Sequence, residues 1–322
     1  MKGKAYRIDV HNHIVPKEYV SALAEKGITT PGGFPFPEWS PEVTLTRMDE
    51  QGIGVAMTSI SAPGVYIGDT GWACDLARRC NEISARLVSD HPQRFGAFAV
   101  LPLPDIDGAL KELEYAIDTL CFDGVTLLTS IGDRYLGDPV FDPLFEELNR
   151  RKLVVYTHPN IPPGSDVPKL GWPAPLVEFI FDTTRAVTNL ILNGTLERYP
   201  DIPIILSHAG GAVPYIVGRI ALAETQPILK TIAPKGVITY LKGLYYDTAL
   251  SATPYALPCL RTLVDPSHIV FGSDYPFAPE SELWMGKTAE NIQRYGGFNK
   301  EDLLSVERNN ALRLFPRIQS EP

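Results

Sequence analysis

Short runs of β-branched and apolar residues recur along the chain, each followed by a longer stretch whose apolar positions return every three or four residues. Eight runs can be marked: Ala5–Val10, Val55–Ile60, Gly96–Leu101, Gly124–Leu128, Leu153–Thr157, Ile202–Ser207, Leu244–Thr248 and Ile269–Gly272. Their length and their content of Val, Ile and Thr read as strands. Between them, Trp72–Val88, Asp107–Leu120, Pro143–Arg151 and Leu176–Tyr199 carry a helical period. Strands that alternate with helices need crossover connections, which make successive strands parallel. Eight such units predict a (β/α)8 barrel with loop insertions, a doubly wound open sheet being the alternative. No linker-like stretch divides the chain, and the Gly/Pro-rich segment Thr30–Pro41 lies too early to separate two domains. Residues 1–322 are therefore expected to form a single domain.

Composition narrows the class. Of the 322 residues 44% are hydrophobic and 21% charged, enough to bury a large core and unlike a disordered or collagenous chain. Its 29 prolines exceed the usual share and point to rigid loop ends. A formal charge of −9 argues against nucleic acid or an anionic membrane as the main partner. No apolar run approaches the ~20 residues of a membrane span. The N-terminal residues enter a strand at once without the apolar core of a signal peptide, so the protein is expected to be soluble and cytoplasmic. Cys74, Cys80, Cys121 and Cys259 form no CxxC pair, which argues against a disulfide framework, and Cys74 and Cys80, on one helical stretch, read as packing residues.

Only six histidines are present, so their positions carry information. His91 and His268 fall in polar turns and read as surface or capping residues. The other four lie at strand ends: His11 and His13 after the first run, His158 after the fifth, His208 after the sixth. Asp274 follows the eighth, in Gly272-Ser273-Asp274-Tyr275-Pro276. In a closed barrel the C-terminal strand ends converge on one mouth, so these residues meet.

Alternate strand residues share a side, which lets His11 and His13 both face the barrel axis while Asn12 faces away. With His158 and Asp274 they make an N/O ligand set suited to one divalent ion, Zn²⁺ first, with Mn²⁺, Co²⁺ or Fe²⁺ as lesser candidates. Three neutral imidazoles and one carboxylate leave such an ion with net charge near +1, so an anionic substrate can dock although the protein is acidic. At ~4 Å that attraction is on the order of 4 kcal/mol at an effective dielectric of ~20. His208, in Ser207-His208-Ala209-Gly210-Gly211, suits proton transfer near neutral pH. Its alternatives are a further nitrogen ligand or a group that orients a ligand.

Asp9-Val10-His11-Asn12-His13, Thr157-His158-Pro159, Ser207-His208-Ala209-Gly210-Gly211 and Gly272-Ser273-Asp274-Tyr275-Pro276-Phe277 together resemble the amidohydrolase superfamily. Within it they are similar to the branch of α-amino-β-carboxymuconate-ε-semialdehyde decarboxylase and the non-oxidative aromatic-acid decarboxylases, above all the 6-methylsalicylate decarboxylase type. The likeness includes Pro41-Glu42-Val43 with Met48-Asp49, Phe181-Asp182-Thr183-Thr184-Arg185, and Gly194-Thr195-Leu196-Glu197-Arg198-Tyr199-Pro200. The resemblance implies a distorted (β/α)8 barrel, a homodimer and one divalent metal held by His11, His13, His158 and Asp274. It makes His208 the catalytic histidine. It also aligns Arg219 with an arginine that reaches the neighbouring subunit's substrate; the plain alternative is a surface helix arginine.

Two departures refine this. Gly124–Ser130 has no lysine where binuclear relatives bridge two metals, which favours one ion. Thr44, Thr46 and Pro227 stand where the semialdehyde decarboxylase has arginines, which points to a simpler acid such as a monocarboxylated phenol. The expectation is therefore decarboxylation of a small ortho-hydroxybenzoate by ring-carbon protonation. Asp274 is then the favoured donor and His208 a hydrogen-bonding stabiliser, with Phe277, Trp39, Trp172 or Tyr275 as aromatic walls. The rival expectation is a hydrolase or hydratase in which a metal-activated water attacks a lactone, amide or unsaturated acid.

Overall fold

The computed structural model describes residues 6–162, 171–277 and 281–319. All eight expected runs are strands of one parallel sheet, namely β1 (Arg7–His13), β2 (Ile53–Ser59), β3 (Phe95–Val100), β4 (Gly124–Leu128), β7 (Val154–His158), β8 (Ile204–Leu206), β9 (Tyr245–Asp247) and β10 (Ile269–Val270). A small antiparallel hairpin, β5 (Ser130–Ile131) with β6 (Arg134–Tyr135), interrupts the series after β4. The sheet order is β1-β2-β3-β4-β7-β8-β9-β10. Its two edges are drawn together by backbone bonds: Val10 N–H to Phe271 O at 2.9 Å, His13 N–H to Tyr275 O at 2.8 Å and Asp274 N–H to His11 O at 2.9 Å. The sheet thereby curls into a nearly closed barrel, and the open-sheet alternative does not hold.

Two apolar layers hold this shape. Alternate strand residues, among them Ile8, Val10, Met57, Phe98, Tyr156 and Val270, form an inner cluster that Phe315 from the C-terminal segment joins. The opposite strand faces pack against the helices. Two helices, α1 (Lys17–Glu25) and α2 (Pro41–Gln51), lie between β1 and β2, and each main helix after them reads from its sequence. α3 (Thr70–Asp90) starts where the Asp69 carboxylate accepts the Trp72 N–H, and it buries Ala73, Leu76, Ala77, Cys80, Ser84 and Leu87 at three- and four-residue steps. α4 (Ile106–Glu114) is capped by Asp105 and runs into a wider π turn at Tyr115–Thr119. α5 (Asp142–Arg151) covers the expected Pro143–Arg151 stretch.

Two local readings change. β1 runs to His13 rather than ending at Val10, and every residue in it is buried, so the two histidines belong to the strand itself. Leu176–Tyr199 is not one helix. It divides into a 3₁₀ turn at Ala174–Leu176, α6 (Glu178–Leu192) and α7 (Thr195–Arg198). The break sits at Gly194, whose φ of 71° is left-handed and whose absent Cβ leaves room for the Ile232 carbonyl. After β8 follows α8 (Val213–Ala221). Among the described residues no helix is long and apolar enough to cross a membrane.

Candidate metal centre

The barrel topology delivers five polar side chains to one end. His11 and His13 close β1, His158 closes β7, Asp247 closes β9, and Asp274 lies just beyond β10. His11, His13, His158 and Asp274 are all buried, and their candidate ligand atoms lie within 4.8 Å of one another. His11 Nε2 is 3.0 Å from His13 Nε2, and Asp274 Oδ1 is 3.1 Å from the first and 3.2 Å from the second. The four residues named from sequence are therefore brought together.

Their outer atoms fix which way each ring faces. His11 Nδ1 donates to Asp247 Oδ2 at 2.7 Å, since a carboxylate can only accept. His158 Nδ1 donates to the Pro159 carbonyl at 2.8 Å. His13 Nδ1 meets Ser59 Oγ at 2.8 Å, and that hydroxyl points its own hydrogen toward the Asn12 carbonyl at 3.5 Å. All three imidazoles thus carry hydrogen on Nδ1 and turn a bare Nε2 inward, the arrangement that histidine ligands adopt. Asp274 Oδ1, buried among them, has no hydrogen-bond donor. Two nitrogen lone pairs and an anionic oxygen about 3 Å apart repel one another unless a positive charge sits between them. The donor set and its unmet acceptors fit a divalent cation.

The charge balance agrees. Burial opposes a positive charge at His11, but Asp274 and Asp247 outweigh it and raise the imidazole to about 10, so the two carboxylates favour a positive charge at this point, which a bound cation would supply while His11 Nε2 keeps its lone pair. Burial pushes His13 down to about 4 and His158 well below the usual range, leaving both neutral and ready to ligate. Burial would protonate Asp274, yet His11, His13 and His208 hold its carboxyl well below the ordinary carboxylate range.

Asp9 ties the two halves of this cluster. One of its oxygens accepts the backbone N–H groups of His11 at 3.1 Å and Ser273 at 3.0 Å; the other accepts Ser273 Oγ–H at 2.6 Å. Asp247 does similar work on the far side, taking the backbone N–H of His208 at 2.8 Å on its second oxygen. Both carboxylates lie outside the set expected from sequence to act. Their signal was a lone carboxylate inside an otherwise apolar strand, as in Tyr245-Tyr246-Asp247.

His208 approaches the ligands without joining them: its Nε2 is 3.1 Å from Asp274 Oδ2. Its backbone has φ of 52°, Ala209 55° and Asp274 65°, three non-glycine residues in the left-handed region gathered at one site. Such strain persists where surrounding contacts over-determine it, and it clusters at functional sites.

The expected substrate contacts divide. Phe277 lies with its ring edge-on to His13, centroids 5.4 Å apart. Phe179, unnoticed in sequence because it sits in the helical repeat of α6, stands edge-on to His158 at 6.0 Å. Tyr275 is buried in the outer core. Trp39 packs partly against that core, and Trp172 is 76% exposed. Among the described residues, neither tryptophan is joined to the cluster by a hydrogen bond or ring contact. Arg219 is exposed on α8.

Residues 8–317 match the amidohydrolase family Amidohydro_2. The 6-methylsalicylic acid decarboxylase of Penicillium expansum is 36% identical over 97% of this chain and 97% of its own. A solved amidohydrolase II superposes with a TM-score of 0.89 at 31% identity, covering 96% of this chain and 99% of that one. A dihydroxybenzoic acid decarboxylase from Polaromonas sp. JS666, solved with manganese and the inhibitor 2-nitroresorcinol, superposes with a TM-score of 0.81 at 25% identity. That match covers 98% of each chain.

Proposed function

The chain belongs to the amidohydrolase family, and from that premise we propose that it is a metal-dependent, non-oxidative decarboxylase of a small ortho-hydroxylated aromatic acid of the 6-methylsalicylate kind. The observation that carries this reading is the pairing of a complete N₃O ligand set with an additional histidine, His208, whose Nε2 lies 3.1 Å from the ligand carboxylate. A site that only binds a metal has no need of that second group. The relatives acting on aromatic acids supply the substrate class.

His11, His13, His158 and Asp274 would hold one divalent ion, Zn²⁺ by the donor set and Mn²⁺ as its nearest competitor. When bound, the ion supplies Lewis-acid stabilisation of a phenolate and its neighbouring carboxylate. The chain's own residues then handle the proton. The imidazoles around Asp274 keep its carboxyl ionised, which supports a resting proton on His208 Nε2, shared with Asp274 Oδ2. Asp274, favoured as donor in the sequence reading, is the point of transfer and His208 its reservoir. The proton goes to the ring carbon that bears the carboxylate. The bond between that carbon and the carboxylate breaks, its electron pair restores the aromatic ring, and carbon dioxide leaves. Phe277 and Phe179 supply apolar edges that keep water from the ring.

Residues 1–322 act as one domain, and the working enzyme is a homodimer in which Arg219 reaches across to the neighbouring site. Exposed Tyr215 and Leu222 on and beside α8 support a contact there. Four free thiols fit a cytoplasmic setting.

The test is turnover of a panel of hydroxybenzoates by metal-loaded protein. Release of carbon dioxide with formation of the matching phenol is expected. Inert hydroxybenzoates together with opening of a lactone panel would replace this reading with the hydrolase one.

A further inference from the structure

Phe181-Asp182-Thr183-Thr184-Arg185, on the second turn of α6, supplies neither a ligand nor a proton, yet Asp182 and Thr184 are buried. Asp182 meets the end of β7. Its Oδ2 accepts the Asn160 N–H at 3.0 Å, the Ser130 hydroxyl at 3.1 Å and the Thr129 hydroxyl. The Asn160 N–H belongs to the same peptide group as the Pro159 carbonyl, and that carbonyl takes the His158 Nδ1–H at 2.8 Å. A peptide group is rigid and planar, so holding its N–H end fixes where its carbonyl points. An anionic acceptor at the N–H also polarises the group and strengthens the bond at its other end. Asp182 thus acts on the His158 imidazole through one peptide. Thr129 braces the same corner, its backbone N–H reaching the His158 carbonyl at 2.9 Å.

Thr184, two residues on, faces another side of the helix. Its hydroxyl donates to the Ile180 carbonyl at 2.7 Å and accepts the Ala212 N–H at 2.9 Å. Ala212 closes the turn that carries His208. Gly211, just before it, runs so near α6 that a Cβ there would stand 2.3 Å from the Ile180 carbonyl oxygen. The start of that turn is held by Asp247 through the His208 N–H. Between these supports the rings of His158 and His208 stand with centroids 5.6 Å apart. One turn of α6 therefore reaches the outer support of a ligand histidine on one side and of His208 on the other.

We propose that Asp182 and Thr184 are positioning residues, Asp182 setting the His158 imidazole for the metal and Thr184 seating the turn that places His208 against Asp274. Neither touches the ion or the substrate. The His158 half needs only the metal centre, whereas the His208 half rests on the decarboxylase reading.

The experiment measures Zn²⁺ affinity by competition with a chelating dye, and kcat and KM on a hydroxybenzoate at saturating Zn²⁺, all on the full chain. Asp182→Ala should weaken Zn²⁺ binding by about tenfold. Asp182→Asn, which keeps an oxygen in place without the charge, should weaken it by about threefold and reads the same effect should the alanine variant not fold. Ser130→Ala removes another bond to the same oxygen, but none on the path to His158, and should leave the affinity unchanged. Thr184→Val should keep the affinity and KM while lowering kcat by about 10–100-fold, and Thr184→Ser should recover it. Wild-type affinity in the Asp182 variants, or an equal loss in Ser130→Ala, would overturn the role of Asp182. Loss of metal in Thr184→Val, or a kcat within about twofold of wild type, would overturn that of Thr184. A wild type that turns over no hydroxybenzoate would overturn the decarboxylase reading and the His208 half with it, while the dye competition still decides the His158 half.

Discussion

Asp247 accepts the Nδ1–H of His11 at 2.7 Å, and this one bond sets which nitrogen of His11 faces the cluster. Because the other carboxylate oxygen takes the His208 N–H at 2.8 Å, the residue also seats the strained turn that carries His208.

An amide at this position can accept only one of those two hydrogens on its oxygen and presents NH₂ to the other. Asp247→Asn should therefore weaken metal binding by about 10–100-fold while leaving the circular dichroism spectrum unchanged. Competition against a chelating dye measures it. An affinity within twofold of wild type would mean that Asp247 does not orient His11.

His208 and the four ligands should separate in their effects. His208→Ala should keep one ion per chain but lower kcat by about 10²–10⁴-fold, the usual range for a lost general acid. His11→Ala should lose ion and activity together. Elemental analysis of the same preparations decides the matter: loss of metal in His208→Ala would make that histidine a ligand, the alternative open from sequence.

Gly272 passes directly behind the site. A Cβ there would lie 2.8 Å from His11 Cβ and 3.1 Å from Asp247 Cβ. Gly272→Ala should thus push apart the pair described above, destabilising the fold by about 1–3 kcal/mol and lowering metal occupancy. Urea unfolding with parallel metal analysis reads both. Unchanged stability and occupancy would show that the strand ends have slack that the packing does not suggest.

Much of this was legible in the chain beforehand, for physical reasons. The eight parallel strands are buried on both faces, so their apolar runs stand out, and His11, His13, His158 and Asp274 break those runs at their ends. What stayed hidden depends on partners far along the sequence. Asp247 looks like a stray carboxylate in a short strand until β1 and the turn after β8 supply its donors. Phe179 is one apolar position among many in a helical repeat, and nothing in that repeat says it faces His158. Trp172 suits an aromatic wall by residue type, but it is 76% exposed. The split of the expected Leu176–Tyr199 helix was signalled by Gly194, whose left-handed backbone overrides an otherwise continuous helical period.

The cysteines should differ sharply in reactivity. Burial pushes the Cys80 thiol up to about 12, while Cys121 is exposed. At pH 8 a thiol reagent should label Cys121 quickly and Cys80 only after unfolding. Since the folded state keeps the Cys80 proton that the unfolded chain releases near its ordinary pKa of ~8.5, stability from this group is complete below that pH. It declines as pH rises toward 12. Mass mapping of labelled peptides in native buffer checks this; rapid labelling of Cys80 there would contradict its burial.

The most direct measurement is anomalous diffraction from crystals grown with Zn²⁺ or Mn²⁺. One ion per chain should appear, ligated by Nε2 of His11, His13 and His158 and by Asp274, with His208 outside bonding distance. An ion bound elsewhere, or His158 or Asp274 beyond coordination reach of the β1 histidines, would contradict the metal centre and the chemistry built on it.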